Sequence, residues 1–414
     1  MKVKKKLIAL LVFVLMCLMA IVILAPKQLE PNKEVDSVEE LEHYLNRLTE
    51  DNFPPSLSLT VASKDEILFN KSFGHLDIDK QKNTPNDAIY PWWSVTKLYT
   101  AVGIMKLVED EVLELDAPIK TYLPEFDSYL ETGEPAVVTV RQLLHHQAGF
   151  RRMMPEVLEW IHLAPVNRPT VTEFLNTRLV GDFREHSFEP GTDSEYTNTA
   201  YIVLGAIIES VTNKTYESYI QEMVLQPMGM LETGFSRSVE DESKTPIGSN
   251  AVISITTGLV KIFGRDDFFK EYVQSYKGNR MYFKSLYTDY SPSTGLSGTS
   301  EDMAKLGQLV LNRGFINDQQ IIEASTLDLM LGETQLSDLG YEYGDHKEAL
   351  TGLGFKSWRI NDLVVYGHGG GGPGYGSILA IIPEKQLVFA FLCNDTNIDR
   401  NLMIEIFNSV SWYD

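Results

Sequence analysis

In the stretch YPWWSVTKLYTA (residues 90–101) a serine and a lysine stand three residues apart, Ser94 and Lys97. On a helix that spacing puts both side chains on one face, roughly 5–6 Å apart at Cβ. Serine attacks a carbonyl at neutral pH when a neighbour takes its proton, and a lysine does so if its own pKa is depressed. A helix start at this point adds backbone N–H groups and a positive dipole end near the reacting oxygen. The pair suits acyl transfer through an acyl-enzyme. Spacing alone leaves an ordinary first helical turn equally open, since a Ser-x-x-Lys pair arises by chance about once or twice in a chain of this length.

Two more clusters carry chemistry. PGTDSEYTNTAYIVLG (190–205) sets Tyr196 and Asn198 just before a helix expected from near Thr199. A phenol beside an ammonium group has its pKa lowered and relays a proton, and an asparagine offers donor and acceptor to a substrate amide. Alone, they also read as a turn tyrosine and a capping asparagine, and Tyr44 and Asn46 repeat the spacing inside another expected helix. The third cluster, YGHGGGGPGYGS (366–377), holds four consecutive glycines at a strand end, with His368 beside them. Such a run serves neither packing nor β propensity. It lets a ligand or another backbone come close, and open N–H groups on a strand edge bind an extended substrate and stabilise an oxyanion.

The elements that must position these groups follow from periodicity. SVEELEHYLNRLTED reads as an amphipathic helix with Ser37 and Glu40 spaced as a capping box. LSLTVAS and EILFNKSFG alternate around Lys64-Asp65 as a β-hairpin. Helices are expected over 94–109, 139–146, 170–179, 200–212, 215–225 and 300–312. GLGFKSWRI, LVVYGHG, YGSILAIIP and QLVFAFLCN return to strands, followed by a helix from about Arg400. The expected fold class is α+β: an antiparallel sheet from about 52–78 and 350–396, with a mainly helical insertion over about 100–340. The aromatic stretch 256–290 has no clear period and reads as a packed insertion, or as a lid or acyl-binding wall.

In their order, Ser-x-x-Lys, Tyr-x-Asn and His-x-Gly resemble the serine β-lactamase and penicillin-binding protein superfamily, in its class C-like branch. LLHHQAGF (143–150), FEPGTDSEYTN (188–198), LQPMGMLETGF (225–235) and STGLSGTSEDMAKLG (293–307) are similar to other recurrent segments of that branch. The resemblance runs from about residue 38 to 412. It implies a sheet with flanking helices plus an all-helical domain, with the site in the groove between them. Ser94 would be the acylated nucleophile, Lys97 its hydrogen-bonded partner, Tyr196 the general base and acid, and Asn198 the ligand of the acyl-side amide. His368 and Gly370 would stand in the place of a Lys-Thr-Gly triplet, and the Gly371 and Ser94 N–H groups would form the oxyanion hole. Histidine where true β-lactamases of this class carry lysine favours a peptidase or esterase over an efficient β-lactamase. The alternative on the same scaffold is a penicillin-binding sensor or cell-wall binding protein that does not turn over. The expected partners are a small peptide or ester, with peptidoglycan stem peptides as one candidate, and β-lactams as acylating ligands.

The remaining sequence bounds these readings. The chain has 414 residues and a formal charge of −21, which disfavours nucleic acid as a partner. No Gly-x-Ser-x-Gly elbow exists, and His145-His146 lacks His-Glu-x-x-His spacing, so an α/β-hydrolase or a zinc enzyme is not expected, nor any cofactor. Cys17 and Cys393 are the two cysteines and form no disulfide framework. MKVKKK followed by the uncharged run 7–25 is long enough, at roughly 28 Å as a helix, to cross a bilayer. Residues 1–26 are therefore expected to be an uncleaved single-pass anchor, with a cleaved secretory signal as the alternative. Residues 27–36 would be a tether and 37–414 a hydrolase domain outside the cytoplasm.

Overall fold

The computed structural model describes residues 37–151, 160–163, 168–235, 237, 239–252, 267–332, 335–336, 350–360 and 363–396. The chain enters through helix α1 (Val38–Glu50), where the Ser37 hydroxyl accepts a hydrogen bond from the Glu40 N–H at 3.2 Å. Leu41, Tyr44, Leu45 and Leu48 recur at helical spacing and are all buried. Burying the three leucines is worth about 5–9 kcal/mol as an upper bound, enough to keep α1 docked.

Its platform is one eight-stranded sheet: β1 (Ser56–Ser63), β2 (Ile67–Gly74), β3 (Gln335–Leu336), β4 (Leu350–Thr351), β5 (Lys356–Ile360), β6 (Leu363–Gly372), β7 (Tyr375–Ile382) and β8 (Leu387–Cys393). Their spatial order is β3-β4-β5-β6-β7-β8-β1-β2, every pair antiparallel. The seam between the two ends of the sequence is the β1–β8 ladder, from Leu57↔Cys393 to Ser63↔Leu387. Every residue of β7 and β8 is buried, because both sheet faces are covered. On one face α1 meets Leu57, Leu59, Val61, Phe389 and Phe391. On the other lies helix α4 (Ser300–Leu311), seated so closely that a Cβ on Gly307 would fall 2.3 Å from the Val388 side chain.

Behind α4 sit helices α2 (Thr96–Glu109) and α3 (Asn198–Thr212). Residues Thr96–Met105 and Leu107 of α2 and Thr199–Ile208 of α3 are buried on all sides, the pattern of helices enclosed in a core. The one-turn helix Ser291–Thr294 packs against both. The α+β expectation therefore holds, with small adjustments. The helix expected over 200–212 starts at Asn198, because Thr197 caps it through the Ala200 N–H. The helix expected over 215–225 is α-helical only to Ile220 and closes with a π turn, Gln221–Leu225. The strand read from GLGFKSWRI starts only at Lys356. Gly354 has φ +94°, and a Cβ there would lie 2.3 Å from that of Ala101, so the backbone before the strand bends over α2.

One expectation is corrected. Among the described residues no helix is long and apolar enough to cross a membrane, so the single-pass anchor, the membrane partner and the membrane location that follow from it are not supported. The run 7–25, Cys17 and the helix from about Arg400 lie outside the described residues. Of the aromatic stretch, the described part is packed. Strands Val273–Lys277 and Arg280–Phe283 form a three-stranded ladder with Ser249–Ala251, and Tyr282, Phe283 and Tyr290 are buried. Phe263 lies outside the described residues.

Candidate active site

The serine–lysine pair sits on a turn held from three directions. Trp93 and Ser94 belong to a 3-10 turn, Trp93–Val95, that leads directly into α2. The Trp92 N–H donates to Leu296 O at 2.8 Å and its indole N–H to Gly298 O at 3.1 Å. From the sheet, the Ser377 hydroxyl donates to Trp92 O at 2.6 Å. Trp93 itself has φ +49°, a left-handed conformation that costs a non-glycine residue about 1–3 kcal/mol. Packing sustains it: the ring is buried against β6, where a Cβ on Gly372 would fall 2.3 Å from it. Ser94 emerges half-buried at the end of this strained turn.

Lys97, one turn along and fully buried, joins the pieces. Its Nζ lies 3.3 Å from Ser94 Oγ and donates to Asn198 Oδ1 at 2.8 Å and to Ser293 O at 3.0 Å. It also lies 4.8 Å from the centroid of the Tyr196 ring. Burial, with the Lys356 charge adding to it, pushes the Lys97 ammonium well below its usual pKa. The amine form that can take a proton from serine is thereby favoured.

Tyr196 and Asn198 arrive on the lead-in to α3. This segment is tied to the turn after the short helix Val140–Leu144: the Glu195 N–H donates to His146 O at 2.9 Å, and the Thr197 N–H points at His146 Nδ1 at 3.4 Å. His146 has φ +59°, and its ring lies 4.4 Å from that of Tyr196, forming a shelf under it. His145, next to it, is buried with Nδ1 at 3.1 Å from Thr351 O.

On the third side stands β6. Its pairing with β5 ends at Lys356↔Gly367, whereas its pairing with β7 continues to Gly372↔Tyr375. Among the described residues, the edge of β6 over 368–372 has no strand beside it on the β5 side. Gly370 is the closest approach: a Cβ there would lie 2.1 Å from Trp92 O, 2.4 Å from Ser377 Oγ and 3.0 Å from Ser94 N. Only glycine lets the strand lie against the nucleophile's turn. Gly371 is exposed, with nothing closer than Thr396 at 3.8 Å to where its Cβ would be. His368 turns inward. It is buried, its Nδ1 lies 2.6 Å from Gly369 O, and its ring centroid is 6.0 Å from that of Tyr196. Burial and then the Lys356 and Lys97 charges push its pKa well below the usual histidine value, so it is neutral at pH 7. His146 is pushed the same way by burial, then by Lys97 and Lys356.

Ser94, Lys97, Tyr196, Asn198, His368, Gly370 and Gly371 thus converge from α2, the start of α3 and β6. Three participants escape a reading by motif. Ser293 contributes only a backbone carbonyl, which leaves no trace in residue type. His146 stands in a histidine pair whose spacing fits no zinc motif. Lys356 on β5 is buried, with Nζ 4.5 Å from the Tyr196 ring centroid. A signal for it existed: Lys356 shares strand parity with Trp358 and Ile360, both buried, and a lysine on a buried parity is unusual.

The family model described as Beta-lactamase matches residues 42–404. Protein flp of Staphylococcus aureus (strain N315) is 26% identical over 213 residues, which cover 51% of this chain and 41% of that protein. The chain thus matches about two fifths of that curated relative's length. The octameric penicillin-binding protein homologue from Pyrococcus abyssi superposes with a TM-score of 0.70 at 23% identity, covering 90% of this chain and 76% of that one. A D-amino acid amidase from Ochrobactrum anthropi SV3, complexed with D-phenylalanine, gives 0.68 at 19% identity, covering 90% and 98%. At these identities the two structural likenesses show the fold alone.

Proposed function

The chain belongs to the β-lactamase family, within the serine hydrolases of the β-lactamase and penicillin-binding protein type, and from that premise we propose that it cleaves a peptide-like amide or an ester through an acyl-enzyme on Ser94, in the manner of the class C-like branch. The observation that carries the proposal is the fully buried Lys97, whose Nζ bridges Ser94 Oγ and Asn198 Oδ1 and whose ammonium form is disfavoured.

The steps follow from the chain's own groups. Substrate carbonyl carbon approaches Ser94 Oγ, and the serine proton passes to Tyr196, with Lys97 holding the hydroxyl in line. The C–O bond forms, and negative charge collects on the former carbonyl oxygen. The N–H groups of Ser94 and Gly371 are the donors assigned to that oxygen. Tyr196 returns the proton to the leaving amine or alcohol as the scissile bond breaks, leaving an ester on Ser94. Water then attacks that ester while Tyr196 takes its proton, and Ser94 Oγ is reprotonated as the acid departs. Asn198, with Oδ1 engaged by Lys97, offers its amide N–H to the substrate's acyl-side carbonyl. Among the described residues no strand covers the β6 edge over 368–372 on the β5 side, which favours an extended, amide-bearing acyl chain lying beside it as an added strand. A neutral, buried His368 offers no cation to a substrate carboxylate, which speaks against an efficient β-lactamase.

Intact-mass measurement tests this directly. The protein and its Ser94→Ala variant are mixed with an activated ester and, separately, with a penicillin. Turnover of the ester with an adduct on the wild type only is the expected result. A stable penicillin adduct without turnover would redirect the reading to a sensor, and labelling that persists in Ser94→Ala would refute Ser94 as the nucleophile. The serine itself is cheap to lose, about 1 kcal/mol for a helix-start residue, so the variant should fold.

A further inference from the structure

The Tyr196 ring is enclosed by four basic groups from four different elements. Lys97 comes from α2, at 4.8 Å from the ring centroid. Lys356 comes from β5, at 4.5 Å. His146 comes from the turn after Val140–Leu144, and His368 from β6, with ring centroids at 4.4 and 6.0 Å. Lys97 is held by Ser94 Oγ, Asn198 Oδ1 and Ser293 O, and both histidines are neutral at pH 7, chiefly because burial disfavours their protonation. Of the two lysines Lys356 lies nearer the ring, and its charge acts on Lys97, His146 and His368.

We propose that Lys356 is the positioning cation of this site, its ammonium held against the Tyr196 ring so as to favour the phenolate form before substrate arrives. The proposal rests on Tyr196 being the general base. A phenolate spreads its charge into the ring, so a cation within 5 Å of the centroid attracts it more strongly than it attracts a neutral phenol. The proton equilibrium is simple: Tyr196 O–H releases its proton to solvent, and the resulting anion is balanced by the Lys356 ammonium. The same charge disfavours a second ammonium at Lys97, which keeps that residue able to bond Ser94 without competing for the role of fixed cation. His368 on the neighbouring strand leaves that place to Lys356. Lys356 faces Gly367 in the β5–β6 register, one residue before His368.

The test is a pH titration of phenolate absorbance, taken as the difference between each protein and the same protein carrying Tyr196→Phe. In the wild type the midpoint should fall below the ordinary tyrosine value of about 10. Lys356→Met, which keeps the length and removes the charge, should raise it by about one unit or more, a tenfold loss of phenolate at a pH below the midpoint. Lys356→Arg should hold it near the wild-type position. The acid limb of the pH profile for Ser94 acylation by an activated ester should move with the midpoint. A wild-type midpoint at or above 10 overturns the proposal with no variant needed. A Lys356→Met midpoint that stays in place while melting temperature falls overturns it too, since that is what a merely structural lysine gives. Lys356→Gln serves if the methionine variant does not fold. Failure of the wider reading would look different: Ser94 would then take no label, whatever the titration shows.

Discussion

Adding one methyl group at Gly370 should disable the site while leaving the fold recognisable. In Gly370→Ala the new Cβ would start 2.1 Å from Trp92 O, 2.4 Å from Ser377 Oγ and 3.0 Å from Ser94 N. Contacts of carbon with carbonyl oxygen settle at about 3.3 Å or more, so strand and turn must part by roughly 1 Å. The turn cannot absorb this cheaply. Trp92 O already accepts from the Ser377 hydroxyl at 2.6 Å, and Trp93 is held at φ +49° by its contact with β6. Overpacking of this kind costs about 1–3 kcal/mol. Displacing a nucleophile by about 1 Å costs on the order of 10² in rate. Gly371→Ala is the control: its Cβ meets nothing closer than 3.8 Å, and the backbone N–H assigned to the oxyanion remains. Thermal melting and the rate of Ser94 acylation by an activated ester, measured on both variants, are the assay. Gly370→Ala should lose about a hundredfold in rate and melt several degrees lower, and Gly371→Ala should stay within a few-fold of wild type. Wild-type acylation by Gly370→Ala, or equal damage from both substitutions, would refute the close-approach argument.

Two other perturbations have worked-out signs. Tyr196→Phe should slow both acylation and deacylation by roughly 10²–10⁴, the usual contribution of a general base; single-turnover acylation kinetics would read it, and an unchanged rate would leave Lys97 as the only base. The buried histidines make stability depend on acid. Burial holds His146 and His368 well below the ordinary histidine value of about 6.5 in the native state. Below that pH the unfolded chain binds protons that the native state refuses, so stability is lost as pH falls from about 6.5. At most the pair gives about 2.7 kcal/mol per pH unit. Urea unfolding at pH 7 and pH 5.5 should reveal the slope, and His146→Asn, which tolerates the left-handed backbone, should lower it by up to about 1.4 kcal/mol per pH unit. A slope unaffected by that change would mean His146 is not refusing its proton.

What the sequence discloses here is what periodicity and residue type encode locally. The α1 face, the β1–β2 hairpin and the largely apolar β7 and β8 follow from spacing alone, and the structure has them within a few residues. Ser94, Lys97, Tyr196 and Asn198 are legible because each cluster lies in one short segment. The strand expected over GLGFKSWRI begins only at Lys356, and nothing in GLGF shows that a Cβ on Gly354 would fall 2.3 Å from that of Ala101. The same limit hides Ser293, which acts through its carbonyl, and His146, whose ring matters only because α3 begins beside it.

Lys356 shows where a motif reading stops and a structural one takes over. The His-x-Gly triplet on β6 signals that the cation usual at that position is absent, and the sequence argument ends with a site short of one positive charge. Charge, however, acts through distance, not through position in a motif. A lysine one strand away, paired with Gly367, stands 4.5 Å from the ring of Tyr196, the base we propose. Burial sharpens the consequence, since a charge in a low-dielectric groove couples more strongly to its neighbours than one in water. The strand that carries it leaves the β6 edge uncovered just beyond that residue. On this reading a cation stands behind the base, where it tunes proton transfer, while the uncovered edge beside Gly370 and Gly371 stays open for the acyl chain. Such a site should discriminate its substrates by backbone hydrogen bonding along β6 more than by a carboxylate, and N-acylated D-amino esters with and without the amide N–H would measure that difference as a ratio of kcat/KM.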